Sequence, residues 1–363
     1  MVTRLQQAGF VTGIAGLGIA YFSNNWPKFF AGAFLGAVGI AAVAYPIFQT
    51  KAALPPISLQ GAPPSWKERF QKIQGQPWPA KQPLLRLIRL GTEDAIRNGF
   101  YFHNGKKVPL DPLTIKKMKA GTTLYPTPPR IDGVALTQPD INIQGVAGDV
   151  IDDAIALKNR GMSPVFINMA NAFGPGGGYK QDHPAQEENA FRRSLYQECL
   201  GRIENLAFHA RQKPYPIPKG GAIYTPHLLA FRGNEASGYP FLPKPVELAA
   251  IAIAGPDFRA YEGNPETVIP NSRGHFERLV KTIENFLSIA VKHKHDAVVL
   301  SALGCGAFLN EPVFVAQCFK HVLKQPKWRG KFKAVHFAIY DDGHGPNLKS
   351  FQKHLHTQPV GRG

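Results

Sequence analysis

The chain runs to 363 residues, 44% of them hydrophobic, which is enough for one large domain with a sizeable core plus an appendage. Lysine and arginine (42) outnumber aspartate and glutamate (25) for a net charge of +17, which suits nucleic acid, anionic lipid or another polyphosphate without choosing among them. Three cysteines, Cys199, Cys305 and Cys318, form no Cys-x-x-Cys pair and cannot all pair internally, which excludes a paired-cysteine motif and points to a reducing compartment.

The first fifty residues read differently from the rest. Phe29 to Phe48 is an uncharged stretch long enough to cross a bilayer, and Ala8 to Phe22 is a shorter one. Between them, Ser23-Asn24-Asn25-Trp26-Pro27-Lys28 makes a polar turn, and Gly9 with Gly13 and Gly32 with Gly36 would let two helices approach closely in lipid. The expectation is a transmembrane helical hairpin over residues 1–50. Arg4, Lys51 and the basic domain beyond place both termini on the cytosolic face, a membrane-anchored arrangement. A signal peptide is the competing reading, in which the second stretch would act as an anchor. Residues 51–83 carry Pro55-Pro56, Pro63-Pro64, Pro77 and Pro79 and read as an extended linker, with one short helix possible from Ser65 to Ile73.

Beyond the linker the pattern alternates between strand and helix. Val165-Phe166-Ile167 is a buried strand that passes through Asn168-Met169-Ala170-Asn171 into a Pro/Gly cluster. Gly176-Gly177-Gly178 follows, and three residues without a Cβ let backbone amides approach a ligand closely. After a seven-residue spacer, Gln186-Glu187-Glu188 precedes apolar residues at helical spacing, Phe191, Leu195 and Cys199, so both carboxylates fall in a first helical turn. Either half alone has a plain explanation, a turn or a helix start that favours acids. Further strands are expected at Ala222–Arg232, Ala249–Ala254, Ala297–Leu303 and Ala334–Tyr340, with helices from Phe276 to Val291 and from Pro312 to Leu323. Gly233 to Pro245 reads as a surface loop. Together these elements predict an α/β fold arranged as a three-layer α/β/α sandwich. Cys318-x-x-His321 has metal-like spacing but lies on an apolar helix without further ligands, so no metal and no cofactor are expected.

Taken together, Gly176-Gly177-Gly178, the spacer and Gln186-Glu187-Glu188 resemble the signature of poly(ADP-ribose) glycohydrolases, and Asn168-x-Ala170-Asn171 resembles the microbial branch. Gly304-Cys305-Gly306-Ala307-Phe308 is similar to the family's second phosphate loop. The resemblance covers most of residues 84–357 and implies a macrodomain fold with an N-terminal helical extension. It implies hydrolysis of ADP-ribose glycosidic bonds, on poly(ADP-ribose) or on ADP-ribosylated protein, with no specific nucleic acid as partner. Glu188 would be the catalytic acid and base, and Glu187 and Asn171 would hold ribose hydroxyls, with Gln186 completing the triplet. Gly176, Gly177 and Gly178 would wall the terminal ribose. Gly304, Gly306 and Ala307 would offer amides to the diphosphate, and Phe308 would pack on the ribose. Asp149 would bind the base, or would cap the helix that follows it. The same pocket in a non-catalytic reader would bind ADP-ribose without turnover, and an intact Gln-Glu-Glu triplet favours the enzyme.

Overall fold

The computed structural model describes residues 65–73, 76–131, 143–200, 215–260, 264, 266–340 and 345–355. The chain divides into two compact units, residues 1–52 with 260–264 and residues 53–259 with 265–363. Of the first unit only Ala260 and Asn264 are described. Every element below belongs to the second.

The N-terminal part is helical. α1 (Ser65–Ile73) is followed by α2 (Trp78–Asn98), which starts with a proline in its first turn and stops at Gly99, whose φ of 73° is left-handed. Lys81, Leu85, Ile88, Thr92 and Ala95 recur at three- and four-residue spacing and form its buried face. Phe70, Leu85 and Ile88 pack with Tyr239 in a small satellite core. The boundary expected between linker and domain, at residues 83 and 84, falls inside α2. A hairpin of β1 (Phe100–His103) and β2 (Lys106–Pro109) and helix α3 (Pro112–Gly121) lead into the main sheet.

That sheet has seven strands: β3 (Thr123–Tyr125), β4 (Ile143–Ala147), β5 (Pro164–Met169), β6 (Ala222–Arg232), β7 (Phe241–Ile253), β8 (Ala297–Leu300) and β9 (Ala334–Ile339). In space they run β3-β6-β7-β5-β8-β9-β4, antiparallel as far as β7 and parallel from β7 to β4. The parallel strands are continuous apolar runs: β8 and β9 are buried throughout and β5 along all but its last residue, as strands covered on both faces must be. α4 (Val150–Asn159) packs on β5, β8 and β9, while α7 (Arg273–Lys292) packs on β6 and β7. α8 (Pro312–Leu323) lies between α7 and α9 (Asn347–Leu355), and α9 covers β4. Two short helices, α5 (Gln186–Arg193) and α6 (Tyr196–Leu200), follow β5.

Two expectations are corrected. β7 begins at Phe241, inside the segment read as a surface loop, because Phe241 pairs with Arg232 beyond a register shift in β6. The expected fold class is corrected as well: the described residues form a mixed α/β domain on a parallel-rich sheet, with no transmembrane hairpin among them. Among the described residues no helix is long and apolar enough to cross a membrane. The two longest, α2 and α7, are interrupted by charges such as Arg86, Arg89, Asp94 and Arg97, or Glu277, Lys281 and Glu284. The hairpin expected over residues 1–50 lies outside the described residues.

The sheet and its outer helices meet in an aromatic cluster, where Phe337 lies 5.0 Å from Phe319 and 5.5 Å from Phe351 between ring centroids. Phe337→Ala removes the ring shared by β9, α8 and α9, and urea unfolding is expected to show a loss of about 3–5 kcal/mol.

Candidate active site

Because β4, β5, β7, β8 and β9 are parallel, their carboxyl ends share one edge of the sheet, where α/β folds place ligands. The loops after β4, β5, β7 and β8 all leave from that edge. Together with the first turn of α5 they carry the site residues expected from the sequence.

The loop after β5 wraps two carboxylates. Gly176 N donates to Glu187 Oε1 at 3.0 Å, Asn171 N to Glu187 Oε2 at 2.8 Å, and Asn168 Nδ2 to Glu187 Oε1 at 3.4 Å. Gly178 N donates to Glu188 Oε1 at 2.7 Å. Both glutamates are buried in the first turn of α5. Gly177 has a φ of 51°, and a Cβ there would stand 2.7 Å from Glu188 Oε1 and 3.1 Å from Glu187 Oε2. Glycine is therefore required for contact with the carboxylates as well as for the turn.

Burial and the neighbouring Glu188 push the Glu187 carboxyl up to about 8, against the three donors that pull it down. Burial also raises Glu188, opposed by its own backbone amide, by Gly178 and by the Arg192 and Arg259 guanidiniums. Two adjacent buried carboxyls titrate as a pair, and such a pair retains a proton near neutral pH. Glu187 has both oxygens engaged by the loop, whereas Glu188 Oε2 accepts from no other described side chain or loop amide.

The other members of this group have structural partners. Gln186 Oε1 accepts from Met169 N at 2.7 Å and its Nε2 donates to Ile167 O at 3.1 Å, so the side chain fastens α5 to the end of β5. Asn171 Oδ1 accepts from Phe173 N and Gly174 N at 2.8 and 3.0 Å, which shapes the start of the loop. Asp149 caps α4 through Ile151 N and Asp152 N, at 2.8 and 3.2 Å, in line with the capping alternative read from the sequence. It also pairs with Arg193 and accepts from Asn189 Nδ2 at 2.6 Å, which links α4 to α5.

The second group lies on the loop after β8. The backbone amides of Gly306, Ala307 and Phe308 donate to no other described residue, and a Cβ at Gly306 would meet open space. Consecutive amides without a described partner are the kind of backbone that can bind an anion. The Arg259 guanidinium, held by Asp257 at 2.6 Å, lies 5.0 Å above the Phe308 ring. Arg259 thus stands beside the second loop, and its charge, like that of Arg192, also acts on Glu188 and His183.

Sequence reading missed Arg259 and missed the clamp on the glycine loop. Trp78 Nε1 donates to Asp182 O at 2.9 Å and Gln82 Nε2 to Gln181 O at 3.1 Å. Arg89 pairs with Asp182 at 2.6 Å, and Lys180 with Glu93 at 2.8 Å. The Trp78 ring sits 4.5 Å from His183, whose own ring lies where a Gly178 Cβ would point. Partners about a hundred positions apart leave no local pattern by which to pair them.

Such a site, a buried acid pair facing an amide nest across the carboxyl edge of an α/β sheet, belongs to the class of glycosidic hydrolases. Residues 91–233 match the family model of the microbial-type PARG, catalytic domain. The resemblance carried by the glycine run and Gln186-Glu187-Glu188 is borne out by this match, which spans both motifs. It is similar to the structure of poly(ADP-ribose) glycohydrolase from Thermomonospora curvata, with 28% identity and a TM-score of 0.60 over 74% of this chain and 98% of that one. The same enzyme bound to the inhibitor ADP-HPD gives 27% identity and a TM-score of 0.59, with the same 74% and 98% covered. Poly(ADP-ribose) glycohydrolase from Deinococcus radiodurans in complex with ADP-ribose gives 25% identity and a TM-score of 0.55 over 67% of this chain and 97% of that one. No curated protein matches the chain.

The Gly177 geometry yields a direct test. Gly177→Ala places a methyl against both carboxylates in a left-handed backbone, so turnover should fall by about tenfold or more while the thermal midpoint moves by only a few degrees. An alanine variant with full turnover would show that the loop yields without cost.

Proposed function

We propose that this domain hydrolyses the ribose–ribose bond of poly(ADP-ribose), with Glu188 as acid and then base. The carrying observation is the buried carboxylate pair, in which loop amides engage both oxygens of Glu187 but only Oε1 of Glu188. Cleavage requires a proton on the leaving sugar oxygen while positive charge develops on the ribose ring. Protonated Glu188 supplies that proton, and the carboxylate it becomes stabilises the cationic ring and then takes a proton from the attacking water. Glu187 keeps the glycine loop closed around the site, and burial raises the Glu188 carboxyl toward the protonated form that donates.

The amides of Gly306 and Ala307 with Arg259 are assigned to the diphosphate, and Phe308 to the ribose beside it. The Deinococcus enzyme's complex with ADP-ribose supports this choice of ligand. Gly176 and Gly178 shape the opposite wall. The paired cation, amide nest and aromatic ring suit one ADP-ribose unit spanning the two loops.

Glu188→Gln is expected to lower kcat by about 100-fold or more and to leave ADP-ribose affinity within a few-fold, because an amide neither donates nor accepts the proton. Released ADP-ribose and calorimetry measure the two quantities. Near-normal turnover would remove Glu188 from the acid role, and binding with no turnover in the unaltered chain would make the domain a reader.

The pH profile offers a second check. Burial raises the Glu188 carboxyl above its ordinary value, and the acid form is present below the folded pKa and lost above it, so kcat should decline as pH rises through that raised pKa. A kcat that falls only across the ordinary carboxylate range, or does not fall at all on the alkaline side, would contradict a raised acid.

A further inference from the structure

Behind the second loop lies a buried polar pair that the reaction does not use. Asn310 is 2% exposed, and its Nδ2 donates to the carbonyls of Pro256 at 2.7 Å, Gly304 at 3.2 Å and Phe308 at 3.3 Å. One carboxamide therefore ties the segment leaving β7 to both ends of the loop leaving β8. A backbone bond from Phe258 N to Phe308 O at 3.0 Å runs beside it. Gly304 makes room for this contact: its φ is 72°, and a Cβ there would stand 2.5 Å from Asn310 Nδ2.

The amide is oriented from its far side by His275. This ring is fully buried, its Nδ1 accepts from Asn271 N at 3.0 Å, and its Nε2 lies 2.9 Å from Asn310 Oδ1. Since Nδ1 is an acceptor, the ring proton is on Nε2, which donates to Asn310 Oδ1 and turns Nδ2 toward the three carbonyls. Phe258 and Phe314 hold the imidazole from two sides, with centroids at 4.9 and 4.6 Å. Burial lowers the His275 pKa and keeps the ring neutral, as this tautomer requires.

We propose that Asn310, oriented by His275, is a positioning residue that sets the spacing between the amide nest at Gly306–Phe308 and Arg259, and thereby the affinity for the diphosphate of ADP-ribose. This rests on the assignment of the nest made above. Neither side chain reaches the glycine loop or the glutamates. Their loss therefore acts on substrate binding and spares the proton-transfer step.

The full chain is compared with Asn310→Asp, His275→Phe and His275→Gln, by calorimetry with ADP-ribose and by steady-state turnover of poly(ADP-ribose). Asn310→Asp sets a carboxylate against three carbonyls, and His275→Phe leaves the amide free to rotate. Each should raise Kd and KM by about tenfold, with kcat within about threefold. His275→Gln, which can still donate to Asn310 Oδ1, should stay near the original affinity. If Asn310→Asp fails to melt cooperatively, the two His275 variants carry the comparison.

Unchanged Kd in a folded His275→Phe, or a fall in kcat with KM unaltered, overturns the positioning role. Gly306→Val separates this from failure of the underlying assignment, because its branched side chain occupies the nest itself. If Gly306→Val weakens ADP-ribose binding and the His275 variants do not, the latch alone is wrong. If none of them does, the diphosphate binds elsewhere and both readings fall.

Discussion

Two carboxylates buried side by side are costly, and Glu187 and Glu188 meet that cost with backbone amides. Among the described residues neither forms a salt bridge. Desolvation of an ion costs several kcal/mol, and each amide bond to a charged acceptor returns about 1.5–3 kcal/mol. The donors come from Asn171, Gly176 and Gly178, so the loop after β5 must fold back onto the first turn of α5. That requirement explains the glycine run: a side chain at Gly177 would occupy the carboxylate positions. Gln186 completes the arrangement by extending the hydrogen bonding of β5 into α5.

The supports around this centre are layered. α2 grips residues 181 to 183 through Trp78, Gln82 and Arg89, and the grip passes through Gly178 to Glu188. On the other side of the cleft, Asn310 joins the loops that carry Phe308 and Arg259. Each cleft wall therefore has its own buried polar fastening behind it. Preorganised donors of this kind need little rearrangement as charge develops in a reaction, which is where electrostatic stabilisation is most effective.

Legibility followed locality. The strand β5, the helix that starts at Gln186 and the glycine loop between them are contiguous, and their periodicity and composition carried the carboxylate pair without tertiary information. The second loop was legible for the same reason, as glycines directly after an apolar strand. Roles within these segments were less so. Gln186 and Asn171 have the chemistry of ligand contacts, yet among the described residues their side-chain hydrogen bonds serve β5 and the loop itself, because an amide side chain bonds the nearest unpaired backbone.

The sequence by itself determined the alternation of strands and helices, the glycine requirement beside the acids and the family resemblance, since each depends on neighbours a few residues apart. Only the tertiary structure decided which groups distant in sequence meet. Arg259 reaches Phe308 because parallel strand order brings the loops after β7 and β8 to one edge, while Trp78 on α2 reaches Asp182 and His275 on α7 reaches Asn310 because those helices pack behind the loops. Burial likewise decided the raised carboxyl pair: a glutamate in a string of letters has its ordinary pKa, and the shift arises only once folding removes water and sets a second carboxylate beside it.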